Sequence, residues 1–409
     1  MRSVFTLLLP FVLFSAMASQ NRKVLIIGVD GTRSDAFQQA NTPNFDSLIA
    51  RGLFTYDAWH CGITMSGASW STIFTGVWWN KHLVKDNNYT NTNFTDYPYF
   101  TTRAKEVKPN LKCVQIVEWS PLNDKVYNDS WDEKLLTVDG DADSTAKVAA
   151  VKLQDDSLDC LFVYFDAVDI VGHSSGFSAI NAAYIKAIEK VDSAVGVVLQ
   201  ALYNRPNYAA EDWLIMATTD HGGIFTGHGS ISTDERRMWF IAAGKGVQHR
   251  QISAADPGTY NNFGLGVFTP ANVNTTVMRQ SPVHTDIAVT ALHHLIYDSG
   301  INPETDTAWH LDGRSWLAEF TDAPSIEEQK LLTAYPNPST NVVTVWLPEQ
   351  LSGTGLLEVF DLSGKLITQT GYTPTSTKVN LYLNTLAKGT YLIRLKDGAR
   401  TFSRKLVLQ

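Results

Sequence analysis

The chain has 409 residues, of which 44% are hydrophobic and 18% charged, and it carries a net charge of −8. That length accommodates one large α/β domain and a smaller one, each with its own core. The acidic balance excludes a nucleic-acid groove and a polybasic membrane patch, so a polyanionic substrate has to meet local positive charge, for which a bound metal serves.

The first residues, MRSVFTLLLPFVLFSAMASQ, place an early Arg before an apolar core and the small-x-small ending Ala16-Met17-Ala18. This is the pattern of a secretory signal peptide, residues 1–18, cut after Ala18. Its apolar run is short for a membrane span and no later segment qualifies, so no stable span is expected. Residues 24–30, VLIIGVD, form a continuous apolar run ending in a carboxylate, and CVQIVEW, CLFVYFDAVD and WLIMATTD repeat the theme. RMWFIAAGKGV at 237–247 is a fainter version. Runs without alternation predict strands of a parallel sheet buried on both faces. Between them lie helical patterns: TPNFDSLIARG with Thr-Pro at its start and Gly52 at its end, the long amphipathic 180–204, and HTDIAVTALHHLI near 284–297. The alternation defines an open, mostly parallel α/β domain over residues 22–320, whose ligands gather beyond the carboxyl ends of the strands.

Near residue 325 the character changes. A polar, proline-bearing linker (321–334) precedes short strands with turn signals, among them NVVTVWLP, KVNLYLNTL and GTYLIRLKDG. These predict a small antiparallel β-sandwich over 335–409. No repeat of solenoid type is present. Cys61, Cys113 and Cys160 are too few for a disulfide framework. Cys113 and Cys160 each open a strand-like run, which leaves room for one bridge; buried free thiols are the expectation.

Four polar clusters fall at the ends of predicted strands or beside them: V29-D30-G31-T32-R33, T64-M65-S66-G67-A68-S69-W70-S71, D169-I-V-G-H173, and D220-H221 with H228. Each alone has an ordinary explanation, since Asp and Ser after a strand usually cap a helix. Three Asp and three His arriving at one end of one sheet are not explained by capping. Oxygen and imidazole donors without thiolates favour zinc, with manganese or iron as alternatives. Two such ions would clamp the attacking and leaving oxygens of an in-line displacement. Ser66, before a helical run, is the candidate nucleophile, and the helix N-terminus adds a favourable dipole for phosphate.

These clusters resemble the alkaline phosphatase superfamily, and within it the type I phosphodiesterase/nucleotide pyrophosphatase branch, from about residue 22 to about 300. The resemblance implies an alkaline-phosphatase-like fold and two Zn2+ ions. Asp30, Ser66, Asp220 and His221 would hold one ion; Asp169, His173 and His228 would hold the other. It makes Ser66 the nucleophile of a phosphoserine intermediate, and it places Asn87 where relatives donate to a non-bridging phosphoryl oxygen. The sequence departs from the pattern at Gly67-Ala68, where relatives often carry Pro, and at His82-Leu83 in place of His-Gly. The last His follows closely after Asp220-His221, as in a subset of relatives with the compact Asp-His-Gly-Gly…Gly-His-Gly form; His284 is the fallback ligand. Arg33 is expected to be structural or to orient Asp30. The C-terminal AYPNPSTN, Leu-Ser-Gly-Lys, KGTYLIRL and KLVLQ resemble the sorting domain of type IX secretion cargo. That implies the secretion machinery as partner and a secreted or cell-surface location reached through the periplasm.

A sulfatase would carry a Cys-x-Pro-x-Arg-like setting, and a serine hydrolase a Gly-x-Ser-x-Gly elbow. Neither is present. Zinc monoesterases of the superfamily can carry a Lys-x-Arg pair where this chain has V117-E118-W119-S120-P121, which favours a diester, with less charge to neutralise. Trp70, with Trp78, Trp79 and Trp119, is a candidate stacking wall for a nucleoside or aromatic leaving group, with core packing as the competing explanation. The expected substrate is a small phosphate ester or nucleotide. The alternatives are a zinc phosphomonoesterase and a non-catalytic surface binding protein on the same fold.

Overall fold

The computed structural model describes residues 21–125, 130–262, 267–268, 273–306, 308–317, 332–335, 337–347, 351, 353–361, 365–373, 375–397 and 400–409. The expected signal peptide and residues 321–331 of the expected linker lie outside the described residues.

Eight strands form the main sheet: β1 (Asn21–Val29), β2 (Leu53–Trp59), β3 (Lys112–Val117), β4 (Glu133–Leu136), β5 (Leu158–Phe165), β6 (Glu211–Thr218), β7 (Arg237–Gly244) and β8 (Arg250–Gln251). Their order is β4-β3-β5-β1-β6-β7-β2-β8. The pairs from β4 to β6 are parallel, while β7 runs antiparallel to both β6 and β2. The fold is therefore the mostly parallel α/β sheet the apolar runs predict, with one reversed strand.

The sheet is buried on both faces, which is why its central strands do not alternate. Leu25, Ile27 and Val29 of β1 enter a core shared with the helices Ala142–Lys152 and Ala182–Tyr203. Val24 and Ile26 point the other way, toward Trp70, Phe74, Ala288 and Leu292 of the helices Ser66–Thr75 and Thr285–Leu295. The helix Ala182–Tyr203 begins at Asn181, whose side chain accepts from the Ala183 and Tyr184 amides, a cap that satisfies N–H groups the helix cannot pair itself. Ser66–Thr75 stops at Gly76, in the left-handed region at φ 69°.

The C-terminal part contains a three-stranded and a four-stranded antiparallel sheet. Val343, Val345 and Leu381 of the first share an apolar cluster with Leu357, Val359, Ile393 and Leu395 of the second, the packing of a β-sandwich. Its first strand, Thr333–Tyr335, begins two residues ahead of the expected boundary. The three cysteines are free and buried, with Cys113 and Cys160 opposite one another on β3 and β5. Among the described residues no helix is long and apolar enough to cross a membrane.

Candidate metal centre

The register of the central strands delivers carboxylates to one place. Val29 of β1 lies opposite Phe165 of β5, and Gly28 lies opposite Thr218 of β6. Asp30, Asp166 and Asp220 therefore leave three adjacent strands at the same level. Asp169 follows on the helix Ala167–Ser175, and His173 is one turn further on the same face.

One group of side chains is deeply buried. Asp30, Asp220 and His221 bring donor atoms within 4.8 Å of one another. His221 Nε2 lies 3.5 Å from Asp30 Oδ1, 3.3 Å from Asp220 Oδ2 and 3.2 Å from Ser66 Oγ. The other ring nitrogen, Nδ1, lies 2.8 Å from the Gly222 carbonyl; donation there leaves the Nε2 lone pair for a metal. Asp30 Oδ2 accepts from Tyr164 Oη at 2.7 Å and Trp70 Nε1 at 2.9 Å. Asp220 Oδ1 accepts from the amides of Gly31 (3.1 Å) and His221 (2.9 Å). Gly31 sits at φ 62°, and a Cβ there would fall 2.3 Å from Asp169 Oδ1, so a side chain at this turn would collide with the cluster.

The second group faces outward. Asp169, His221 and His228 also place donor atoms within 4.8 Å. His173 Nε2 is 3.2 Å from Asp169 Oδ2 and 3.2 Å from His228 Nε2. Both imidazoles use Nδ1 on backbone oxygens, His173 on Thr226 at 2.9 Å and His228 on Thr64 at 2.8 Å. The His228 ring stacks on His221 at 3.8 Å. The His173 side chain is 46% exposed.

The oxygens left over test whether a cation fits. Asp30 Oδ1, Asp220 Oδ2 and Asp169 Oδ1 are buried and have no hydrogen-bond partner, an expensive arrangement for protein alone. All three lie close to an Nε2 atom of His221 or His228. Two such constellations of carboxylate oxygen and imidazole nitrogen have the donor chemistry of zinc or a related divalent ion. The electrostatics agree. Burial, then Asp169, pushes the Asp30 carboxyl up to about 6. Burial and Asp30 hold Asp220 well above the carboxylate range. Burial lowers His228 to about 3, and the hydrogen bond to Asp169 raises His173 to about 9.

Ser66 is the first residue of its helix, with Met65 as N-cap. Asn87 Oδ1 accepts from the Gly67 amide at 2.8 Å, which orients the Asn87 carboxamide beside Ser66 and leaves its NH2 to donate. Gly67 permits this approach, because a Cβ there would lie 2.6 Å from the Asp86 carbonyl. His284 lies elsewhere: its Nε2 is 3.1 Å from the Thr219 carbonyl, its ring packs on His60, and it joins none of the clusters.

The expected stacking wall needs correction. Trp70 is fully buried against Phe162 and Tyr164 and donates to Asp30, so it positions a carboxylate and offers substrate no face. Trp78 and Trp79 are buried too, and Trp119 packs on the core. Of the two roles expected for Arg33, its contacts are those of the structural one: it pairs with Asp35 at 2.7 Å and Asp234 at 3.0 Å, and donates to the Gly223 carbonyl at 3.0 Å. It clamps the ligand loop to the first helix.

Sequence reasoning also missed several groups. Tyr164 was hidden because a buried tyrosine in a strand looks like core. Asp166 has its oxygens within 4.8 Å of those of Asp30 and Asp169, and burial followed by Asp30 raises it to about 10; the signal was there in Phe-Asp at the end of β5. Glu118 accepts from the Asp166 amide at 2.7 Å. Lys125 Nζ donates to the Asn87 carbonyl at 3.2 Å.

The fold is shared with solved structures of low sequence identity. A solved structure of a putative sulfatase from Bacteroides thetaiotaomicron superposes with TM-score 0.53 at 14% identity, over 86% of this chain and 85% of that one. A 2-O GAG sulfatase gives 0.54 at 15% identity over the same shares. The chain itself belongs to the type I phosphodiesterase / nucleotide pyrophosphatase family, whose model matches residues 24–235. Residues 333–409 match the secretion system C-terminal sorting domain. Among curated proteins, mouse ectonucleotide pyrophosphatase/phosphodiesterase family member 7 is 30% identical over 96 residues, 23% of this chain. The match spans 22% of that relative's length.

Proposed function

We propose that the protein is an exported two-zinc phosphodiesterase that works through a phosphoserine at Ser66. The observation that carries this reading is the trio of buried oxygens on Asp30, Asp169 and Asp220 without hydrogen-bond partners, gathered around His221 and His228, with Ser66 Oγ 3.2 Å from His221 Nε2. Asp30, Asp220, His221 and Ser66 would hold one ion and Asp169, His173 and His228 the other. Bound there, the ions would supply Lewis acidity, lowering the pKa of the Ser66 hydroxyl and offsetting charge on phosphorus.

The chain's own groups do the rest. Ser66 Oγ forms a bond to phosphorus as the ester P–O bond opposite it breaks, the proton leaving with the departing alcohol. Water then cleaves the Oγ–P bond. The Asn87 NH2, held by the Gly67 contact, donates to a non-bridging oxygen as charge grows there. Tyr164 and Trp70 fix the Asp30 carboxylate so that no reorganisation accompanies the reaction. The residues after Ser66 separate this site from the sulfatase neighbours, since Ser66-Gly67-Ala68-Ser69-Trp70 lacks the Pro and Arg of the setting for formylglycine. Export rests on the sorting-domain match at 333–409. A phosphomonoesterase reading draws on Lys125, which could pair a second phosphoryl charge.

Hydrolysis of bis(p-nitrophenyl) phosphate against p-nitrophenyl phosphate, with zinc, tests the proposal in wild type and Ser66→Ala. A diester preference is expected, with a loss of at least about 10³-fold in the variant. Monoester preference would shift the reading to the alternative. Full activity in Ser66→Ala would remove the phosphoserine.

A further inference from the structure

Asn87 stands on a loop, where no strand or helix fixes it. The loop is closed at its base, where the His82 carbonyl accepts from the Asn93 amide at 2.9 Å. Between these ends only Val84 and Tyr89 are buried, while Lys85, Asn88 and residues 90–92 are exposed. The polar bonds near Asn87 are exposed too: the Asn88 amide donates to Asp86 Oδ1 at 2.8 Å, and Lys125 Nζ donates to the Asn87 carbonyl at 3.2 Å. Bonds that compete with water hold a loop weakly. A carboxamide that must meet one phosphoryl oxygen needs a firmer anchor.

Tyr89 is the buried anchor nearest Asn87, and its backbone is left-handed at φ 57°. Among the described residues, three of the five non-glycine residues in that region, Leu83, Tyr89 and Asn91, belong to this loop. Asn suits such a turn, as at Asn91, whereas a bulky ring rarely adopts it and is held there only by its surroundings. The Tyr89 ring enters the apolar cluster of Trp70, Phe74 and Tyr99. It also closes on the first turn of the Ser66 helix. A Cβ on Gly67 would lie 3.1 Å from Tyr89 Cε2 and 3.1 Å from Asn87 Oδ1, so one glycine faces both side chains. The phenol hydroxyl is buried without a hydrogen-bond partner among the described residues; the ring, not the hydroxyl, is what this packing uses. We propose that Tyr89 is a positioning residue, its ring against Gly67 holding the Asn87 carboxamide on the Gly67 amide and so beside Ser66. This deepens the phosphodiesterase reading and rests on the part given there to Asn87.

The test uses the zinc-loaded protein and bis(p-nitrophenyl) phosphate. Tyr89→Gly suits the left-handed turn but removes the ring; Tyr89→Phe keeps the ring. Tyr89→Gly should lower kcat about 10–100-fold with KM within about threefold, because the Asn87 contact grows in the transition state. Tyr89→Phe should stay within about twofold of wild type. In an Asn87→Ala background, Tyr89→Gly should cost no more than about threefold further, since both changes remove one interaction. Tyr89→Leu, which keeps apolar bulk in the core, takes the place of Tyr89→Gly if that variant does not fold, with kcat falling in the same direction. Full kcat in the ring-less variant, or losses that multiply in the double variant, would overturn the positioning role and leave the diesterase standing. Calorimetric binding of orthovanadate, which takes the five-coordinate shape of the transition state, gives a readout without turnover. A wild type that binds vanadate but hydrolyses no diester would sink the diesterase. The positioning role would then stand if Tyr89→Gly and Asn87→Ala weaken vanadate alike and without adding, and fall if they do not.

Discussion

The two candidate metal-binding groups are built differently. Asp30, Asp220 and His221 stand at the ends of β1 and β6, fully buried, and each carboxylate has one oxygen fixed by two donors. Asp169, His173 and His228 stand on a helix and a glycine-rich loop, with His173 open to solvent, its Nδ1 on the Thr226 carbonyl and its Nε2 on Asp169. Strand ends braced by hydrogen bonds give a rigid seat; a helix and hairpin give one that can adjust. Ser66 Oγ lies against the rigid seat, 3.2 Å from His221 Nε2, where the proposed attack on phosphorus would tolerate misplacement least.

The largest effect should follow Asp220→Asn. The carboxamide cannot satisfy the Gly31 and His221 amides and still present an anionic oxygen to an ion, so diester hydrolysis should fall by about 10³-fold or more and excess zinc should not restore it. His173→Ala should cost only about 10–100-fold, with recovery at millimolar zinc. Metal content by atomic absorption, measured with the rates, checks both. Equal losses, or equal rescue, would erase the contrast between the seats.

Tyr164→Phe sharpens it. This change removes one donor from Asp30 and leaves the ring in the core, so zinc affinity should drop about tenfold with little change in thermal stability. Competition with a chelator reads the affinity. An unchanged affinity would mean that Trp70 alone orients Asp30.

Much of this was legible in the sequence because the chemistry rides on strong signals. Continuous apolar runs marked β1, β3, β5 and β6, and an Asp closing three of those runs or lying just beyond them located the carboxyl edge of the sheet. The weaker strands were not legible. Glu-Lys-Leu-Leu of β4 is half-exposed and has no apolar run, and Leu53–Trp59 mixes buried and half-buried residues. Nor does an apolar run carry a direction, so β7 could not be read as reversed. At the site, the ligand types announced themselves, whereas Tyr164, Trp70 and Arg33 act through contacts 40 or more residues away or through neighbouring loops, which no local pattern records.

The smallest effect separates imidazoles that could hold metal from those that hold the fold. His82 is fully buried beside Thr72 Oγ1 at 2.9 Å and accepts from the Val84 amide at 3.1 Å, outside both groups. Burial, then His60, lowers it from 6.5 to about 3. An unfolded chain therefore takes up this proton at a higher pH than the folded one. The stability contributed is intact above about pH 6.5 and is lost progressively as the pH falls toward 3, with a slope of up to about 1.4 kcal/mol per pH unit. His82→Gln should cost about 1–2 kcal/mol at pH 8 through imperfect hydrogen bonds, yet lose less than wild type on going to pH 5. Urea unfolding of the metal-free protein at the two pH values measures the difference. Parallel losses in wild type and variant would show that the folded His82 takes up its proton as readily as the unfolded one, and would assign acid sensitivity to other groups.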